Sequence, residues 1–294
     1  MAISMAIPID VVEQIRSNII GTVVERHADE VIKLVRPAIG VDLEPIDSTT
    51  SAATSRLGGI PDVPPDWQWP TFVDTGPERF HGPLRFLAQI DLCDLQSFHG
   101  ADLLPSSGIL SFFYGPELFG ASNEGELDVA RVYHFANQSC AKARVPQEAV
   151  SPSTPYSLEF EQMWALPEDE WNLATKDLYA AIPEADREDF ACALIDIGDA
   201  SGAMQLLGYA SREQSRFLEY KCEAFRQGYD IDTMYDSIAK IAEPAAQWEL
   251  LAQFALSWEQ VWPDGNDGYL HYWIRKSDLA NKDFSQVCFT WERT

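Results

Sequence analysis

The sequence predicts an α+β protein of largely antiparallel sheets, in two duplicated three-strand halves related by a pseudo-twofold, with helices at the N-terminus and in a middle insertion. Three observations predict it. Strand-like windows fall into two short meanders with no crossover helix between their members, the two meanders share sequence, and segments of helical period are confined to the start and the middle of the chain.

Over residues 9–35 the apolar positions Val12, Ile15, Ile19, Val23, Val31, Leu34 and Val35 recur at mostly helical spacings, with Asp10 as an N-cap and Pro37 as a stop. That spacing predicts an amphipathic helix, or a helix pair broken near Gly21. Residues 41–53 are polar and irregular and read as a surface loop, so residues 1–54 are expected to be a helical region and loop packed on the rest. SRLGGIPDVPPDWQWP follows. Gly58 and Gly59 are free to take positive φ, while Pro61, Pro64, Pro65 and Pro70 enforce extended backbone, which makes the stretch a rigid strap. If the strap is extended, Trp67 and Trp69 project to one side, either covering a sheet or roofing a cleft.

Residues 84–92 alternate as a strand, with Phe86, Ala88, Ile90 and Leu92 on one face; residues 109–114 and 129–135 give a second and a third. The middle reads as an edge strand at 157–166, then helices at 168–182, 184–195, 212–227 and 231–242, whose acidic residues are expected on solvated faces. Residues 249–257, 268–274 and 285–291 are the last three strands. Asp264, Gly265, Asn266, Asp267 and Gly268 suit a hairpin turn.

The internal match lies FLAQIDL (86–92) over LLAQFAL (250–256), with Gln89 opposite Gln253, and each window is followed by a glycine-led aromatic strand and a third β-rich run. Three windows in one order argue for a duplication, with half one at about 55–150 and half two at about 200–294. The stretches SRLGGIPDVP with WP after it, PLRFLAQIDL, LPSSGILSFFY, QLLGY, WELLAQF and DGYLHYWIRKSDLANKDFSQV also resemble the YwqG-like proteins, a bacterial family of unknown function. The resemblance runs over about 55–287. It implies a compact single α+β domain, taken here as 55–294, and brings no reaction or catalytic residue with it. Ala210 departs from the proline that often follows LLGY in that family.

Composition narrows function more by exclusion. The chain has 294 residues, 46% of them hydrophobic, enough for a sizeable core. Its 46 acidic against 21 basic residues leave a net charge of -25, which argues against nucleic acid and anionic membranes. The acidity serves either solubility or a basic protein or cationic ligand. Five single cysteines without a CxxC pair read as reduced, mostly buried thiols. The N-terminus lacks the basic region of a signal peptide and no apolar run reaches membrane-spanning length, so a cytoplasmic location is expected.

HExxH, GxxxxGK[ST], GxGxxG and GxSxG are absent, and His27, His81, His99, His134 and His271 show no ligand spacing. Asp230, Asp232 and Asp236 resemble part of a calcium loop, but Tyr235 and Ile241 stand where its Gly and Glu are needed. No cofactor and no metal are expected. The remaining polar candidates are Gln89 and Gln253 on apolar strands, with Arg85 and Asp91 beside the first, and Arg56, Trp67 and Trp69 from the strap. A buried glutamine must find partners, so the pair is expected either to meet on the pseudo-twofold axis and lock the halves or to line a ligand cleft. The leading expectation is a non-enzymatic binding protein for a basic protein, in the manner of an acidic immunity or antitoxin protein. The alternative is an enzyme or small-molecule sensor using a cleft between the halves.

Overall fold

The computed structural model describes residues 7–46, 54–73, 81–115, 129–136, 140–146, 149, 155–168, 170, 172–199, 204–212, 218–229, 231–255 and 268–293. Residues 264–267 of the predicted turn and Asp230 lie outside them, as do residues 47–53 of the loop predicted at 41–53.

Fourteen strands occur among the described residues: β1 (Arg36–Pro45), β2 (Arg56–Leu57), β3 (Asp62–Val63), β4 (Thr71–Val73), β5 (His81–Pro83), β6 (Arg85–Asp91), β7 (Ile109–Tyr114), β8 (Ala130–Phe135), β9 (Ala141–Lys142), β10 (Tyr156–Ala165), β11 (Gln205–Leu207), β12 (Trp248–Ala255), β13 (Gly268–Arg275) and β14 (Cys288–Arg293). Ten of them form one antiparallel sheet in the order β14-β13-β12-β11-β1-β10-β2-β6-β7-β8. With helices α1 (Ile9–Ile19), α2 (Ala28–Leu34), α3 (Lys176–Ala180), α4 (Arg187–Ile197), α5 (Leu218–Arg226), α6 (Ile231–Ala245) and α7 (Lys276–Ala280), the class is α+β.

The two matching windows lie on β6 and β12, each the first strand of a three-strand meander at one end of the sheet. Their registers slip at corresponding places, between Phe86 and Ala88 on β6 and between Leu250 and Ala252 on β12. Such a bulge bends and twists a strand, and the sheet is bent enough to bring its ends together. β7 and β13 stand seven places apart, which would be about 34 Å in a flat sheet. Yet the Tyr272 hydroxyl donates to the Phe113 carbonyl at 3.2 Å, and the Phe112 ring meets those of Phe254 and Tyr272 at 5.3 and 5.1 Å. The main core fills the inside of this curled sheet.

Between the meanders run β1 and β10, paired over ten residues from Arg36↔Ala165 to Pro45↔Tyr156. This corrects two expectations. Residues 36–45 are a central strand and not part of a loop, and 156–165 is flanked on both sides rather than being an edge. Gly40 explains the close fit, because a Cβ there would lie 2.5 Å from Met163 Sδ. Among the described residues of the predicted helix at 168–182 only 176–180 are α-helical; Arg212, where the next helix is predicted to start, is not helical, and the described helix there is Leu218–Arg226.

The helices α1, α2, α3 and α4 bury their own apolar cluster, including Ile15, Ile19, Val31, Phe190 and Leu194, with Leu166 just past β10. α5 lies on β12 and β14 and packs against α6. That leaves residues 218–224 buried all round, Glu219, Lys221 and Glu223 included. The sequence predicts a solvated acidic face here; instead Glu223 turns to Trp248 and Arg275 of β12 and β13 and Glu219 to Arg212, while α6 packs on Tyr220 and Ala224.

Candidate functional site

Each short strand, β2 and β11, opens a tight loop. Arg56 and Leu57 are followed by Gly58 and Gly59 at φ 70° and 74°; Gln205 and Leu206 are followed by Leu207 and Gly208 at φ 63° and 72°. Two successive left-handed residues turn the chain sharply outward, and glycine is the residue that takes this without strain. At Gly208 there is also no room for more, since a Cβ would meet Ala38 Cβ at 2.8 Å and Ala165 Cβ at 3.1 Å.

The glutamines hold these loops. Gln89 Oε1 accepts from the Asp62 backbone N–H at 2.8 Å and from Arg56 at 3.1 Å, while its amide donates to the Thr54 carbonyl at 2.8 Å and to Asp62 at 3.1 Å. All of its capacity is used. Arg56, 2% exposed, also donates to the Thr54 and Ile60 carbonyls and pairs with Asp62 at 2.8 Å. Burial alone would raise the Asp62 carboxyl pKa, but Arg56, assisted by Lys142, outweighs it and holds the value low. In the other loop Gln253 Oε1 accepts from the Ser211 N–H at 2.8 Å, and the Gln205 amide donates to the Leu207 and Tyr209 carbonyls at 3.0 and 2.6 Å.

Gln89 and Gln253 therefore do not meet. Four strands separate them in the sheet. Gln89 pairs in register with Ser111 and Gln253 with His271, the neighbours of the inward-facing Phe112 and Tyr272. By the alternation of strand side chains, both glutamines face away from the core that the sheet encloses. Arg56 joins Gln89; Arg85 and Asp91 sit at the two ends of β6, where Asp91 accepts from the Cys93 N–H at 3.0 Å. Trp67 and Trp69 cover the sheet, with rings 5.4 and 5.6 Å from Phe113, and the Trp69 indole donates to the Leu84 carbonyl at 2.7 Å.

The densest buried chemistry lies under α5, where sequence reasoning places only Gln253. Glu223, 0% exposed, accepts from the Trp248 indole and from Arg275, each at 2.9 Å, and from Gln227 at 2.7 Å. Glu219 takes both arms of its carboxylate to Arg212 at 2.9 and 3.0 Å. His271 donates from Nε2 to the Ser211 carbonyl at 3.0 Å. Burial, with Arg212 and Lys221 nearby, lowers its pKa to about 4 against the opposing pull of Glu292, so the ring is neutral at ordinary pH. Its Nδ1 and the Gln253 amide nitrogen have no hydrogen-bond partner among the described residues. Helical periodicity does not flag these groups; the one usable signal is a charged helix preceding two tryptophan-bearing strands.

Beside the second loop opens a pocket of about 130 Å³. Tyr209, Trp248 and Trp273 give it aromatic walls, and Glu219 and Glu249 contribute carboxylates. Arg36 lies over the Tyr209 ring at 4.4 Å and 3.6 Å from Glu249, which Lys276 approaches at 3.5 Å. The Tyr209 hydroxyl donates to the Leu34 carbonyl at 2.6 Å, tying this wall to the end of α2. Among the described residues no three His, Cys, Asp or Glu side chains are grouped to hold a metal, and no helix is long and apolar enough to cross a membrane. Cys222 and Cys288 are buried free thiols, whereas Cys93 and Cys192 are exposed, contrary to the expectation of mostly buried cysteines.

Comparison with known families matches residues 55–292 to a domain of unknown function, DUF1963. That span is most of the chain, and the protein belongs to this family. No curated protein matches the sequence. The match begins after β1, the strand that pairs with β10 and β11 at the centre of the sheet.

Proposed function

We propose that this chain is a non-enzymatic, cytoplasmic binding protein that receives a basic protein partner on the layer formed by α1, α2 and α4. The observation that carries the reading is the composition of that layer. Ile9, Ile20, Val23 and Ile195 are exposed there at 77%, 69%, 42% and 43%. Around them stand exposed Asp10, Glu13, Asp29 and Glu30 on α1 and α2, and Glu188, Asp189 and Asp196 on α4. Exposed Arg16, which pairs with Asp29 at 2.7 Å, Arg26 and Lys33 interrupt the carboxylates, so the layer is acid-rich rather than of one sign. Exposed apolar side chains among an excess of carboxylates have the make-up of a docking surface for a basic partner, and the net charge of -25 favours its approach.

The test is capture of partners from the native cell on the wild type and on a variant with Glu188→Lys, Asp189→Lys and Asp196→Lys. A stoichiometric basic protein retained by the first and lost by the second supports the reading. Recovery of no such protein at low salt, or equal recovery on both, contradicts it. The alternative of a cleft between the halves lined by both glutamines has lost its geometry, since the two sit at separate loops on the side of the sheet away from its core. A small-molecule reading now rests on the pocket beside Tyr209.

A further inference from the structure

The geometry points to an internal site for ordered water beside the loop 207–211, at a row of polar side chains that crosses three neighbouring strands. Gln205 on β11 stands in register with Gln253 on β12, and Gln253 with His271 on β13. Residues opposite one another in an antiparallel ladder share a face, with Cβ atoms about 4.5–5.5 Å apart, so the three side chains lie side by side. Their exposures are 1%, 0% and 0%.

Each side chain is anchored on that loop by one atom, and the anchor settles which atom is left. The carbonyls of Leu207 and Tyr209 can only accept, so the Gln205 nitrogen faces them at 3.0 and 2.6 Å and Oε1 is left. The Ser211 N–H can only donate, so it takes the Gln253 oxygen at 2.8 Å and leaves the amide nitrogen. The Ser211 carbonyl takes the Nε2 proton of His271 at 3.0 Å, which leaves Nδ1 of the neutral ring an acceptor. Gln253 and His271 therefore meet at the backbone of one residue. The three atoms left over, Gln205 Oε1, Gln253 Nε2 and His271 Nδ1, are buried and have no hydrogen-bond partner among the described residues.

Buried polar atoms of folded proteins are nearly always bonded, to protein or to ordered water. This trio asks for two donors and one acceptor. A water supplies the donors in its two O–H groups and the acceptor in a lone pair, and about three such bonds are the usual complement of an internal water. A cation there would be met by the Gln253 N–H, and an anion by two acceptors.

The meander at the other end of the sheet supplies a comparison. Arg56, Gln89 and Ser111 form the matching row, and Arg56 donates to the carbonyl of Ile60, four residues on, as Gln205 does to that of Tyr209. The Asp62 N–H meets Gln89 Oε1 as the Ser211 N–H meets Gln253 Oε1. At that row, however, the Asp62 carboxylate accepts from the Gln89 amide at 3.1 Å. Ser211 has no carboxylate to offer and turns its hydroxyl to Glu168 at 3.2 Å, so water takes the part beside Gln253 that Asp62 plays beside Gln89.

The site does not depend on the protein-partner reading. It is tested on the unmodified full chain by a crystal structure at a resolution that shows ordered water, and by nitrogen-15 spectra of His271 at neutral pH. The expected results are a water within about 3.2 Å of Gln253 Nε2 and of at least one of the two acceptors, and a His271 ring protonated on Nε2 with its Nδ1 resonance shifted as for an accepted hydrogen bond. No density at the Gln253 amide would overturn the assignment, as would a direct bond from that amide to Gln205 Oε1, or a His271 ring protonated on Nδ1.

Discussion

Gln89 and Gln253 perform the same act at separate places. Each accepts a backbone N–H at 2.8 Å, from Asp62 in one case and Ser211 in the other. Asp62 lies six residues after Arg56, the first residue of β2, and Ser211 six after Gln205, the first residue of β11. The loops so fixed lead to different things: the first into the tryptophan strap, the second to Tyr209, Arg212 and the pocket.

The glutamines share no partner, so their losses should add. Gln89→Ala and Gln253→Ala should each destabilise by on the order of 2 kcal/mol, and the double variant should equal their sum within about 0.5 kcal/mol. Urea unfolding of the three proteins measures this. A coupling well beyond that margin would mean that the two loops communicate.

Two glycines at similar positive φ separate strain from crowding. At Gly228, φ 77°, an added Cβ would have nothing within 4 Å, whereas a Cβ at Gly208 would press on Ala38 and Ala165. Gly228→Ala should cost about 1–2 kcal/mol from backbone alone, and Gly208→Ala at least about 2 kcal/mol more. Thermal unfolding of the pair gives the difference directly.

Much of this architecture was legible in the sequence, because both meanders are alternating runs whose short connections allow only antiparallel neighbours. β1 is hidden for a physical reason. Its pattern is interrupted by Gly40, where the absent Cβ lets Met163 approach, and it is bounded by Pro37 and Pro45, so it resembles a loop. Glu219 and Glu223 mislead in the opposite direction, since an acidic helix reads as solvated unless it is known that Arg212, Arg275 and the Trp248 indole converge on it. Asp62 gives no signal either, because nothing in DVP announces that Arg56 and Gln89 will converge on it.

His271 gives a pH dependence whose sign follows from its burial. The free side chain titrates near 6.5 and the folded one at about 4. Between those values the unfolded chain binds more protons, so stability present above about pH 6.5 is lost as the pH falls towards 4. Wild type should lose on the order of 2 kcal/mol more than His271→Gln between about pH 7 and about pH 5. Equal losses in the two proteins would show that His271 is protonated in the fold.

Glu223 is the anchor under α5, and removing it strands Arg275 and the Trp248 indole together. Glu223→Ala should cost about 3–5 kcal/mol, and Glu223→Gln less, because the amide oxygen still accepts from Trp248. Chemical denaturation with tryptophan fluorescence follows both.

The central claim is the acidic helical layer, and the salt dependence of partner affinity tests it most directly. With the captured partner purified, the dissociation constant should weaken steadily as salt rises, and Glu188→Lys, Asp189→Lys and Asp196→Lys together should weaken it by about tenfold or more at low salt. An affinity indifferent to both salt and charge reversal would contradict the account.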